Sequence, residues 1–261
     1  MSIGPHFAPG TFCWADLATT EPDTAKSFYQ HVFGWEAEDL PTAAGEPYTM
    51  LRKGDRDVAG LGGLAPGMAP RPRWQSYLAV LDVNASTARA EALGGRVLMA
   101  PADVMGLGRM ALVQDPGGAA VGLWQAGRHG GAQLVNAVGA CCWHELRTRV
   151  PEEAARFYGS LLGWQTRISA SMPGGQYRIF GADGRDLAGM LPAGGEAESA
   201  PAGWTVYFGV RDCDAAIAAV ESLGGSVLLA PMEVEKIGRF AALADPLGAA
   251  FAIIQFADGH K

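Results

Sequence analysis

Two carboxylates stand in matching surroundings: Gly10-Thr-Phe-Cys-Trp14-Ala-Asp16-Leu and Gly139-Ala-Cys-Cys-Trp143-His-Glu145-Leu. A carboxylate in an apolar setting can act as a general base, because burial raises its pKa. It can equally accept hydrogen bonds from a nearby tyrosine or backbone N–H, and this second role is the one favoured for Asp16 and Glu145. Metal chemistry would need a cluster of His, Cys or carboxylate side chains. His144 and Glu145 are adjacent on a strand-like segment, so they leave opposite faces and cannot grip one ion. The other histidines, His6, His31, His129 and His260, are scattered over a terminus, a helix and loops. Cys13, Cys141, Cys142 and Cys213 form no C-x-x-C pair and read as buried structural thiols in a reducing compartment.

The elements that must position these groups come from a duplication. Trp14 recurs as Trp143 (143 − 14 = 129), and the offset holds for Phe28-Tyr29 and Phe157-Tyr158, Gly34-Trp35 and Gly163-Trp164, and Tyr48 and Tyr177. One insertion makes it 130 (204 − 74), as in Trp74/Trp204, Tyr77/Tyr207, Asp82/Asp212 and Asp115-Pro/Asp245-Pro. Residues 10–126 and 138–257 are therefore predicted as two equivalent domains, with 127–137 as the connector. In each, a strand (12–18; 141–147) leads to a helix starting near Pro22 or Pro151. Ala25, Phe28, Tyr29, Val32 and Phe33 form its apolar stripe, and Gly34 or Gly163 ends it. Short strands follow near 48–52 and 58–61. A Pro/Gly-rich link, 65–73, precedes a second unit: strand 74–81, helix 85–93, and strands 97–100, 110–114 and 120–125. The spacing predicts four βαβββ units, an α+β protein. The Gly60-Leu61-Gly62-Gly63 string lacks the strand–turn–helix setting of a dinucleotide site.

Bulk properties narrow the partners. The 261 residues carry a net charge of −7 and are 49% hydrophobic, which disfavours nucleic acid and anionic membrane surfaces. No apolar run is long enough to span a bilayer, and residues 1–10 do not read as a secretion signal. A cytoplasmic location is expected.

The order of units, with F-Y ahead of L/F-G-W and a closing D-P-x-G-A, resembles the vicinal oxygen chelate superfamily over nearly the whole chain. More narrowly, it resembles two-domain hydroxylase-like members. The resemblance implies two glyoxalase-like domains, each a cupped mixed sheet around a cavity with helices outside. It also implies metal-ligand positions, which fall here on Trp14, Gln75 and Gly122, and on Trp143, Thr205 and Ala252. Trp, Gly and Ala offer no ligand, and Gln and Thr are weak neutral ones. No metal and no other cofactor is expected.

Strand alternation puts Trp74, Leu78 and Val80, with Trp204, Val206, Phe208 and Val210, under the helices. Val121, Leu123, Phe251 and Ile253 join them. Facing the cavities are Gln75, Tyr77, Gly122 and Trp124, and Thr205, Tyr207, Ala252 and Ile254; the resemblance implies that Trp14 and Asp16, and Trp143, Glu145 and Arg147, point inward as well. Small residues at 122 and 252 are expected to widen the hollow. Aromatic walls with few polar handles suit a planar, hydrophobic guest. Arg109 and Arg239 read as turn or salt-bridge anchors. Two function classes stay open: a metal-independent binding protein for a small aromatic molecule such as an antibiotic or polyketide intermediate, with a pathway enzyme as an optional partner, or a metal-free isomerase, cyclase, lyase or cofactorless hydroxylase. The first is preferred, and a metal-dependent glyoxalase or dioxygenase ranks last.

Overall fold

The computed structural model describes residues 7–42, 45–64, 71–169, 177–193 and 202–257. His6, His260 and the part of the link at 65–70 lie outside them.

The first repeat runs β1 (Phe12–Thr19), α1 (Pro22–Phe33), β2 (Glu36–Leu40), β3 (Tyr48–Lys53), β4 (Arg56–Gly63), β5 (Arg73–Ala79), α2 (Val83–Ala92), β6 (Arg96–Asp103), β7 (Gly108–Gln114) and β8 (Ala120–Ala126). The second runs β9 (Cys141–Thr148), α3 (Pro151–Leu162), β10 (Gln165–Ile168), β11 (Arg178–Ala182), β12 (Arg185–Pro192), β13 (Gly203–Gly209), α4 (Cys213–Ser222), β14 (Ser226–Val234), β15 (Gly238–Ala244) and β16 (Ala250–Phe256). Two eight-stranded mixed sheets result, in the orders β2-β3-β4-β1-β5-β8-β7-β6 and β10-β11-β12-β9-β13-β16-β15-β14. The α+β reading of four βαβββ units, two glyoxalase-like domains, holds.

Local chemistry explains the boundaries. Proline opens α1 and α3, where its missing N–H costs nothing, and left-handed Gly34 and Gly163 close them. Asp82 caps α2 by accepting the Asn84 and Ala85 N–H groups, and Asp212 caps α4 through Ala215. Each of these helices therefore starts right after its aspartate, two residues earlier for α2 than the pattern alone suggested. β2 and β10 were missed. They are edge strands with exposed, non-alternating sequences, EAEDL and QTRI, so no period-2 signal marks them.

By packing, the chain forms two compact units. The described residues of Met1–Cys13, Ser76–Gly131 and Trp143–Thr205 make unit I, and those of Trp14–Gln75, Ala132–Cys142 and Val206–Lys261 make unit II. Each unit takes one helix-bearing module from either half of the chain.

The core of unit II gathers Leu17, Phe28, Tyr29, Trp35, Trp74, Phe208 and Phe251, all buried. Tyr29 donates to Asp245 Oδ2 at 3.1 Å and accepts from Trp74 Nε1 at 2.9 Å. Trp35 Nε1 donates to the Gly139 carbonyl at 2.7 Å. Unit I repeats the arrangement: Tyr158 to Asp115 at 3.1 Å, Trp204 to Tyr158 at 2.9 Å, and Trp164 to the Gly10 carbonyl at 2.8 Å. The shared F-Y, G-W and D-P signatures are thus one buried hub, built twice. Asp115 and Asp245 also receive the backbone N–H of Ala119 and Ala249 across their turns. Burial nevertheless raises both carboxyls above the usual range.

No described helix is long and apolar enough to cross a membrane.

Candidate functional site

Alternation on β1 puts Leu17 into the helix-covered core and leaves Asp16 and Ala18, on the other face, partly exposed. β9 does the same: His144 and Leu146 are buried, while Trp143, Glu145 and Arg147 are partly exposed. The polar ends of both first strands therefore stay reachable on the face away from the helices.

Each of these faces carries an indole–phenol–carboxylate triad. In unit II the Trp14 Nε1 donates to Tyr48 Oη at 3.0 Å, and the Tyr48 hydroxyl donates to Asp16 Oδ2 at 3.4 Å. In unit I the Trp143 Nε1 donates to Tyr177 Oη at 3.2 Å, and the Tyr177 hydroxyl bonds Glu145. Burial, then the neighbouring carboxylate, drives both phenols well above their ordinary pKa, so each keeps its proton. Glycines make room for the rings. A Cβ at Gly60 or Gly189 would sit 1.8 Å from the Tyr48 or Tyr177 oxygen. Register places these glycines beside the carboxylates, Gly60 against Asp16 and Gly189 against Glu145. The glycine string of β4 is a seat for a tyrosine ring.

Tyr48 and Tyr177 were not singled out from sequence as site residues. The available signal was their recurrence, together with an in-strand glycine 12 residues later in both repeats (60 − 48; 189 − 177). The preferred role of Asp16 and Glu145, accepting from a tyrosine, matches this geometry.

The remaining predicted residues fall as follows. In unit I, Tyr77 is buried and pairs in register with Gly122. A Cβ at Gly122 would lie 2.1 Å from the Tyr77 ring. The expectation that Gly122 widens the hollow is therefore corrected: the Tyr77 ring occupies the space. Trp124 lies against Gly108 and donates to the His129 carbonyl at 3.0 Å, which ties it to the connector. Thr205 is partly exposed. In unit II, Gln75, Tyr207 and Ala252 are buried, Tyr207 pairs with Ala252, and Tyr207 faces Phe240 at 6.3 Å. The triad residues are brought together within each unit.

Other chemistry-bearing groups have structural partners. His144 stacks on Phe12 with ring centroids 3.8 Å apart and bonds Ser76 Oγ at 3.0 Å, and burial pushes its pKa down to about 3. It is a neutral core histidine. Burial pushes the Cys13 thiol up to about 12, and that of Cys213 to about 11, which suppresses thiolate chemistry. Arg239 pairs with Asp214, and Arg109 bonds Asn84, both in the first turn of a helix.

A divalent cation does not fit the positions that the fold would assign to it. Trp14 and Trp143 present indole N–H donors already directed at tyrosines, and Gly122 and Ala252 have no ligating atom. Among the described residues, no three His, Cys, Asp or Glu side chains group as a metal site.

Comparison with known proteins agrees with the fold. Residues 6–123 match the Glyoxalase/Bleomycin resistance protein/Dioxygenase superfamily, and residues 143–254 match the glyoxalase-like domain family. CFP32 of Mycobacterium tuberculosis, provisionally named a glyoxylase, is 40% identical over 96% of both chains. The anthracycline biosynthesis protein DnrV of Streptomyces peucetius is 34% identical over 98% of this chain and 96% of its own. The Mn(II)-bound glyoxalase of Novosphingobium aromaticivorans shares the fold with a TM-score of 0.63 at 15% identity, covering 95% of this chain and 83% of that one. The 2,3-dioxygenase LapB of Pseudomonas sp. KL28 does so with 0.65 at 12%, covering 96% and 93%. The chain belongs to the glyoxalase/bleomycin-resistance/dioxygenase superfamily, the vicinal oxygen chelate proteins, as a two-domain member.

Proposed function

We propose that this protein is a metal-independent binding protein for a small, hydrophobic, aromatic molecule of secondary metabolism, serving self-protection or assisting a pathway enzyme. One observation carries the reading. At the first ligand position of each half a tryptophan stands in place of a histidine, and its N–H is engaged in an organised Trp–Tyr–carboxylate relay. Such a wall offers ring surface and one polar anchor, the usual make-up of an organic-ligand site. The similarity to DnrV, named for anthracycline biosynthesis, supports a role in secondary metabolism. The four free thiols fit a reducing cytoplasm. Of the two halves, the second is the more open, since Trp143, Glu145, Arg147 and Thr205 are all partly exposed whereas Trp14 is 8% exposed.

Titration with a panel of planar polycyclic compounds, followed by tryptophan fluorescence in the presence of EDTA, tests this. Saturable quenching unaffected by the chelator is expected; no quenching across the panel overturns it.

A second reading, a metal-free enzyme, draws on the contact between Tyr48 and Asp16 and its counterpart at Glu145, where a carboxylate beside a bound guest could take a proton. Turnover that survives EDTA and is lost in Asp16→Asn or Glu145→Gln would favour it over simple binding.

A further inference from the structure

No further inference is drawn: the strongest candidate, the apolar patch on the edge strand β14 of unit II, where Leu229 and Met232 are exposed and pair in register with Ala242 and Phe240 of β15, is an unpartnered sheet face, and nothing in the structure shows what covers it.

Discussion

Tyr29 and Asp245, 216 residues apart in sequence, meet through a 3.1 Å hydrogen bond at the centre of unit II. Trp74 feeds the same hydroxyl, so the order of donation is indole, phenol, carboxylate. That order appears four times among the described residues. Twice it is sealed in a core, at Trp74–Tyr29–Asp245 and Trp204–Tyr158–Asp115, and twice it lies on a partly open sheet face, at Trp14–Tyr48–Asp16 and Trp143–Tyr177–Glu145. The first pair holds the fold. The second pair is the candidate site.

Removing a core hydroxyl should be costly in both units. Tyr29→Phe leaves the Trp74 N–H and one Asp245 oxygen without their buried partner, which costs about 1–3 kcal/mol. Tyr158→Phe should cost a similar amount, because its surroundings are the same. Urea unfolding midpoints would show it; a loss under about 0.5 kcal/mol for both variants would contradict the role assigned to the hub.

Acid should act on His144. Its folded-state pKa is held at about 3 by burial, against 6.5 for an ordinary histidine. Between these values the unfolded chain binds a proton that the folded chain refuses, so stability falls as pH drops through that window. The slope is about 1.4 kcal/mol per pH unit. The His144→Gln variant should be less stable at pH 7, having lost the stacking on Phe12, yet show a flatter stability profile between pH 6 and pH 4. Parallel profiles for the two proteins would refute a buried neutral imidazole.

Crowding the tyrosine seat should disturb the site selectively. A methyl group at Gly189 would collide with the Tyr177 oxygen, forcing the ring out of line with Glu145 at about 1–3 kcal/mol of overpacking. The backbone at Gly189 is not left-handed, so strain there is not the cause. Gly189→Ala is expected to weaken aromatic binding at least tenfold, and Gly184→Ala, with a left-handed glycine and open space around it, to affect stability but not binding. Unchanged affinity in Gly189→Ala would separate the triad from the ligand.

Metal should be dispensable. Protein purified without chelator is expected to carry no stoichiometric Zn, Ni, Mn or Fe by mass spectrometry, and EDTA should leave ligand affinity unchanged. One equivalent of a bound first-row metal would restore the chelate chemistry that the donor set argues against.

Much of the fold was legible because duplication doubles each signal. Pro22/Pro151, Gly34/Gly163 and the two D-P turns fixed helix starts, helix ends and hairpins on their own local chemistry. β2 and β10 were not legible, since exposed edge strands bear no alternation. The inward placement of Asp16 and Glu145 came from the resemblance; in the structure both are partly exposed, next to the buried Leu17 and Leu146. The triads did not follow, because the Trp–Tyr partnership joins residues 34 apart and depends on a glycine in a third strand. The same long-range pairing misled the reading of Gly122: a missing side chain suggested open space, and a neighbouring aromatic ring fills it.

The interleaving of chain segments has a practical consequence. Unit I draws on Ser76–Gly131 and Trp143–Thr205, and unit II on Trp14–Gln75 and Val206–Lys261, so each owns sequence on both sides of the connector. A single protease cut between Gln133 and Asn136 would therefore sever the backbone without freeing a lobe. The two fragments should travel together on size-exclusion chromatography and part only in denaturant, each serving as half the scaffold of its sibling.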